Sequence, residues 1–528
     1  MENNPNNLIE YGFRRVIITI TVIMCSVLEL IDTSIVNVAT TNLMGNLGAT
    51  LSEVSWVIAA YGIANVIVVP MSSWLSIKLG RRNYFGASVV LFTVASVLCG
   101  NSTSIWELVF FRFVQGIGGG ALLATSQTIL TEIYPAEKRG FASAMFGMGV
   151  ILGPTLGPLL GGYIITTQEW PMIFYVNLPI GIIAAFLAFT YIKDVGNIPA
   201  YMKQAKVDWL GMILLVVGVG SLQLILEQGD REDWFESTYI SIFTIVAILG
   251  IICFIWRELV IDYPIVDLRI LKKGNVAIGT ILSFILGFGL FSTVFIYPVF
   301  VQRFLGFTAL QTGLSLLPGA LTSGLMMPII GISLSKGVKP KYLIPFGLAI
   351  FGMFTYWVSR ILTAQTGAED FFWPLIFRGI GLGLLFVPLT TALLTGLQGR
   401  EIGQAAGLSG MIRQLGGSFG VAICSTLIAK FTYLHRFNEI QHNTAYDTPT
   451  QERLTALTNA FMSRGSSLSN ATSQAYAVLE RSSTMQATVN TYIDIFLYLG
   501  VFFLICIPLV FLIKDIKAAG KVDMGSAH

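Results

Sequence analysis

An all-α polytopic membrane protein is the fold class this sequence predicts, and three observations carry the prediction. First, 54% of the 528 residues are hydrophobic and only 12% are charged, whereas soluble proteins carry roughly 25% charged residues. A soluble body of this size could not cover its surface with 32 basic and 29 acidic side chains, so the apolar excess must face lipid. Second, fourteen apolar runs recur along the chain, each near the ~20 residues a helix needs to cross a bilayer. Third, with the N-terminus in the cytoplasm, 21 Lys and Arg fall on the cytoplasmic side, whereas the short outer loops hold only Arg231, Arg303 and Arg360. Basic residues stay on the cytoplasmic side, so this bias predicts an even span count and both termini in the cytoplasm.

The runs lie near 16–38, 54–76, 84–101, 106–130, 141–166, 171–192, 208–226, 239–260, 276–301, 311–334, 341–363, 371–396, 403–431 and 492–513. The first is too long for a cleaved signal peptide and carries two acids. One long connection, 432–491, is polar and lies outside. Leu454, Leu457 and Phe461 repeat there at helical spacing, as do Tyr476 and Leu479. This segment reads either as a docking element or as a solvated connector lying on the protein.

Other chemistries are disfavoured. The net charge of +3 is too small to argue for nucleic acid. The five cysteines form no CxxC pair, so neither a zinc site nor a disulfide framework is supported. The glycine string 116–120 follows an apolar helix rather than a strand, and no Walker lysine motif accompanies it. No cofactor is expected, and no HExxH or Ser–His pair points to an enzyme.

Ionisable residues deep in a membrane are costly and therefore informative. They are Glu29 and Asp32 in the first span, Arg112 in the fourth, Arg378 in the twelfth and Arg413 in the thirteenth. Glu29 and Asp32 are three apart and share a helix face. No Lys or His lies deep, so a proton carried through the protein must ride on a carboxylate. The structural alternatives are a backbone hydrogen bond for Asp32, a reach to the outer surface for Glu29, and a purely structural partner for Arg112.

Three strings carry a resemblance: Leu30-Ile31-Asp32-Thr33-Ser34-Ile35-Val36-Asn37 in the first span, Arg112-Phe113-Val114-Gln115-Gly116 in the fourth, and the run from Gly149 through Gly153, Pro154, Gly157 and Pro158 to Gly161 and Gly162 in the fifth. With them the chain resembles the major facilitator superfamily, and within it the fourteen-helix drug:proton antiporters. The likeness covers essentially 12–515. It implies the major facilitator fold: two six-helix halves around a cavity, here 1–193 and 263–528, with two additional central helices in 194–262. It also implies proton coupling at Asp32, Glu29 and Arg112, and an antiporter motif at Gly149–Gly162 that marks exporters; the bland reading of that motif is close helix packing. Asn37, Gln115, Arg413 and Gln414 are the expected cavity residues. Trp56, Tyr61, Phe291 and Tyr297 are candidates for stacking on flat compounds.

One departure stands out. After the second span the superfamily pattern is G-x-L-A-D-R-x-G-R-R, but here Ser73 replaces the first glycine and Ile77 stands where the acid belongs. Gly80, Arg81 and Arg82 remain, either as part of a gate or as surface anchors. The expected function is export of hydrophobic or cationic compounds across the inner membrane in exchange for protons. The expected partners are protons, small hydrophobic substrates, membrane lipid and, for 432–491, a periplasmic adaptor protein. The alternative is a proton-coupled symporter importing a small solute, against which the fifth-span motif argues.

Overall fold

The computed structural model describes residues 9–194, 207–397, 399–442 and 447–513. Among these, fourteen helices are long and apolar enough to cross a membrane. They are α1 (Gly12–Val38), α2 (Leu51–Leu79), α3 (Arg81–Gly100), α4 (Ile105–Ile133), α5 (Arg139–Thr167), α6 (Met172–Tyr191), α7 (Trp209–Gln228), α8 (Thr238–Val260), α9 (Gly274–Arg303), α10 (Ala309–Ser335), α11 (Pro340–Ile361), α12 (Phe372–Leu394), α13 (Arg400–His442) and α14 (Leu468–Val510). Helices suit a bilayer because each satisfies its own backbone polar groups. Of the predicted cytoplasmic basic residues, Lys203, Lys206, Lys514, Lys517 and Lys521 lie outside the described residues.

Local sequence starts the helices where the spans begin. Thr50 and Glu53 form a reciprocal capping box at α2, and Thr308 and Gln311 form the same box at α10. These are the second helices of the two halves, so the internal symmetry extends to the cap. Within the halves α2 packs on α4, α1 on α5 and α9 on α13; across them α5 packs on α10 and α2 on α13. Helix α7 straddles the second of these seams. Gln228 bonds Ser55 of α2, while Gln223, Trp234 and Asp230 bond Ser418, Thr426 and Ser425 of α13. Helix α8 turns Ile242, Ile245, Leu249, Ile252 and Trp256 outward, as a lipid-facing helix should.

The two halves close at the end that carries Arg81, Arg82, Lys138 and Arg139, here called the basic end. Arg139 donates to the Leu397 carbonyl at 3.2 Å. The Phe146 and Phe386 rings meet with centroids 6.2 Å apart, and a Cβ on Gly140 would lie 3.2 Å from the Gly331 carbonyl. Helices α1 and α9, the first of each half, barely touch.

The outer segment differs from expectation at its boundaries. Helices α13 and α14 each run 43 residues, about 65 Å at 1.5 Å per residue, against a hydrocarbon core of about 30 Å. Hydropathy falls at 432, but no Gly or Pro occurs from 421 to 442 or from 468 to 499, so nothing stops the helix at the membrane edge. Only the helix Thr448–Ser463 stands apart, ended by Gly465 at φ +94°. At the end of the bundle away from the basic end, the two long helices are tied by His435–Asp494 at 2.8 Å and by Arg436–Glu480. Leu454, Leu457 and Phe461 are half-buried on the face that meets α14.

Candidate functional site

Asp32 sits six residues before the end of α1 and is 0% exposed. Its Oδ2 accepts from Arg112 Nη1 of α4 at 2.5 Å. Its Oδ1 accepts from Gln115 Nε2 at 2.9 Å and from Asn177 Nδ2 of α6 at 2.7 Å. Three helices thus converge on one carboxylate. The same Arg112 Nη1 also donates to Gln115 Oε1 at 2.8 Å, and Arg112 Cζ lies 4.2 Å from the Tyr61 ring centroid. The charges are compensated, which is the condition for burying either.

One turn away, Glu29 is 2% exposed and contacts a different set of partners. Its Oε1 accepts from Asn65 Nδ2 at 2.7 Å and Tyr61 Oη at 3.3 Å, both from α2, and its Oε2 has no hydrogen-bond partner. Asp32 is fully partnered by a cation, while Glu29 is held by neutral donors and keeps one oxygen free. The sequence pattern singles out both acids but not Asn177, Ser96 or Asn65, and it offers Tyr61 only as a ring for stacking. Asn177 also donates to Ser96 Oγ at 2.9 Å.

Two further arginines lie in the second half. Arg378 donates from Nε to Thr293 Oγ1 at 3.2 Å. Arg413 is 5% exposed, stands over the Phe386 ring at 5.2 Å, and has no hydrogen-bonded acceptor among the described residues. Next to it, Gln414 is half-buried, and its Oε1 has no partner. Asn37 is exposed near the end of α1, whereas Gln115 is wholly buried in the Asp32 network. Of the aromatic candidates, Tyr61 is engaged by Glu29, and Tyr297 donates to Ser315 at 2.7 Å.

The α5 motif forms a ridge of small residues against α1. A Cβ at Gly157 would lie 2.8 Å from Ser34 Cβ and 3.0 Å from the Ile35 backbone nitrogen, and one at Gly161 2.9 Å from Ile35 Cγ1. Gly153 faces Leu30 just as closely, while Gly149 meets Val27 at an ordinary 3.4 Å. Gly162 instead faces α10, its Cβ position 2.9 Å from the Leu310 nitrogen. Pro154 and Pro158 lie within α5 without interrupting it.

At the basic end, acids from elsewhere surround the loop that lacks one at Ile77. Arg81 pairs with Glu132 at the end of α4. Gly80 adopts φ +85°, and Asp194 after α6 packs on it and accepts the Arg82 backbone N–H at 2.9 Å. Glu132 and Asp194 were not candidates from sequence, because acids at span edges ordinarily face water.

The Major Facilitator Superfamily profile matches residues 22–421. The chain is 33% identical to the Multidrug export protein EmrB of Escherichia coli (strain K12), over 98% of each sequence. It is 33% identical to the Fatty acid resistance protein FarB of Neisseria gonorrhoeae, over 94% of this chain and 96% of that one. Among solved structures, the human organic anion transporter MFSD10 (TETRAN) superposes with a TM-score of 0.55 at 13% identity, covering 93% of this chain and 99% of that one.

Proposed function

This chain belongs to the major facilitator superfamily, and from that premise we propose that it is a proton-coupled antiporter exporting hydrophobic or cationic drugs and toxic compounds across the inner membrane by alternating access. The observation that carries the reading is the Asp32 carboxylate, wholly buried at the meeting point of α1, α4 and α6 and neutralised by Arg112. A charge is kept in such a place at a cost that a purely structural contact does not require. The near full-length likeness to a multidrug export protein favours export.

In this reading the basic end and both termini are cytoplasmic, and α1 and α9, which barely touch, part to open the cavity outward. A proton entering from outside neutralises Asp32 or Glu29, weakens the hold on Arg112, and allows the halves to close outside and open inside. The moving bodies are 1–193 and 263–528, with 194–262 riding between them. The glycine ridge of α5, which contacts α1 and α10 together, is the pivot, and Gly80, Arg81 and Arg82 with Glu132 and Asp194 form the inner gate. Asn37, Arg413 and Gln414 face the compound, and Gln115 acts through Asp32. The test is proton movement in vesicles holding the pure protein. Adding a transported compound should release protons in a saturable way, and transport without proton movement would overturn the coupling.

The outer segment is proposed to dock a periplasmic adaptor protein. Because the Leu454–Phe461 stripe is turned toward α14, the available face is the α13 extension, where Tyr433, Phe437 and Ile440 are exposed at i, i+4 and i+7. Replacing 440–485 by a short flexible linker should spare drug–proton exchange in vesicles and lower resistance in cells with an intact outer membrane. Lost exchange in vesicles would instead make the segment a cap or gate.

A further inference from the structure

Near its end away from the basic end, α7 carries a carboxylate of its own. Glu227 is half-buried against α2, where a Cβ on Gly62 would lie 3.5 Å from its Oε1. Gly62 follows Tyr61, the residue that reaches Glu29, so the two acids stand at different faces of α2.

Helix α7 fills a seam between the halves. Toward the basic end α2 and α13 touch directly: a Cβ on Gly407 would lie 3.3 Å from the Val69 carbonyl, and one on Gly410 3.1 Å from the Val69 side chain. Farther along, α7 stands between them. It packs more extensively on α2 than on α13, with Gly220 on Ile67 and Gln228 bonded to Ser55. Its outermost ties to α13 are hydrogen bonds: Gln223 to Ser418, Asp230 to Ser425 and Trp234 to Thr426. The turn presenting the last of these is strained. Asp233 and Trp234 hold φ +52° and +54°, a region that residues other than glycine rarely adopt, so the surroundings hold this turn against a cost.

Glu227 governs the first tie. Gln223 is 1% exposed, and its Nε2 donates both to Glu227 Oε1 at 2.9 Å and to Ser418 Oγ at 2.8 Å, while its Oε1 has no partner. A carboxylate only accepts, so it fixes the nitrogen of this amide toward itself and Ser418. Once protonated, Glu227 donates, and the amide turns its oxygen to it. Ser418, whose hydroxyl already donates to the Gln414 carbonyl at 3.3 Å, then loses the N–H that it accepts.

We propose that Glu227 is a positioning residue of the transport cycle: ionised, it ties α7 to α13 through Gln223, and protonated from the outer side it lets α13 move. The inference rests on the transport reading and deepens it, since it adds to the buried Asp32 a second carboxylate that acts on the seam. The cation acting on Glu227 is Arg231, on which Asp230 and Arg303 of α9 act in turn. The facing turns, 58–66 of α2 and 414–422 of α13, contain no charged side chain, and Tyr61 is turned to Glu29.

The test uses the full chain in lipid nanodiscs, with Cys253→Ser to remove the exposed thiol. Spin labels at Glu169→Cys and Gln365→Cys, in outer loops of the two halves, report their separation by pulsed EPR. Lowering the pH from about 8 to about 5, across the range of a shielded carboxylate, should raise the short-distance population of this parent protein. Glu227→Gln, neutral throughout, should raise that population about fivefold already at the upper pH, the equilibrium worth of one hydrogen bond. Ser418→Ala cuts the same tie from α13 and should give the same shift, and the double variant should give no larger one. Glu227→Asp keeps a titratable group and should respond to pH as the parent does. A parent-like profile in Glu227→Gln overturns the inference, and so does a double variant whose shifts add. A Glu227→Asp profile matching that of Glu227→Gln also overturns it, by making shape rather than the proton the cause. Ser418→Ala is the smaller change; if Glu227→Gln does not fold, a parent-like profile in Ser418→Ala is enough to overturn the inference. A parent whose distances ignore pH overturns the coupled-transport reading together with it.

Discussion

Asp32→Asn is expected to abolish proton-driven export and, as a single change, to destabilise the folded protein by about 3–5 kcal/mol, the usual cost of removing one partner of a buried ion pair. Asparagine is nearly isosteric with aspartate, but its amide group donates. Arg112, Gln115 and Asn177 already aim three donors at the two oxygens of residue 32. Either orientation of the new amide sets a donor against a donor, and Gln115 cannot simply turn over, because its Oε1 accepts from Arg112. Arg112, 1% exposed, is left without its counter-charge. The double variant Asp32→Asn, Arg112→Gln removes both charges and should recover most of the lost stability without recovering export. Melting temperature and compound-triggered proton release separate the two effects. Proton release at the wild-type level in either variant would show that Asp32 is not the carrier.

Gly157→Leu should inactivate the protein although leucine is at home in lipid. The obstacle is backbone: the Ile35 nitrogen lies 3.0 Å from where the new Cβ must sit, and Ser34 Cβ is closer still at 2.8 Å. Rotating Ser34 removes neither contact, so α1 and α5 must separate, which draws α1 away from α4 and α6 and pulls Asp32 off its donors. Even Gly157→Ala should lose activity. Gly324→Ala is the control, because its Cβ would meet only Leu152 at 4.0 Å. Drug resistance and detergent-extracted yield measure the pair. Normal resistance in Gly157→Leu would mean that α1 and α5 are not in close contact in the working protein.

Much of this architecture is legible in the sequence because a bilayer is a demanding solvent. A span must be apolar and of fixed length, so α1 to α12 follow the hydropathy closely. The ends of α13 and α14 do not, because hydropathy reports the membrane edge, whereas the helix persists until a residue such as Gly465 ends it. The site divides in the same way. Glu29, Asp32 and Arg112 are conspicuous as charges in apolar runs. Asn177 and Asn65 are not, since neutral polar side chains are ordinary in spans and only the crossing of α6 and α2 over α1 gives them a task. Glu132 and Asp194 were hidden by their position at span edges. The pairing of Arg81 with Glu132 depends on where α3 enters relative to the end of α4, which the residue pattern does not encode.

The length of α14 has a mechanical consequence. From residue 491 outward to 468 it projects roughly 36 Å beyond the span, at 1.5 Å per residue, and it carries the helix Thr448–Ser463 while His435 and Arg436 tie it to α13. A helix without a break behaves as a stiff arm, so tilting the second half by roughly 10° would sweep its tip through about 6 Å. The arm amplifies a motion that near the pivot amounts to only an ångström or two. Spin labels at Ala456 on the outer helix and at Glu169 between α5 and α6 would turn each cycle into a change of distance. The outermost part of the chain thus becomes a pointer for events at its most deeply buried residues.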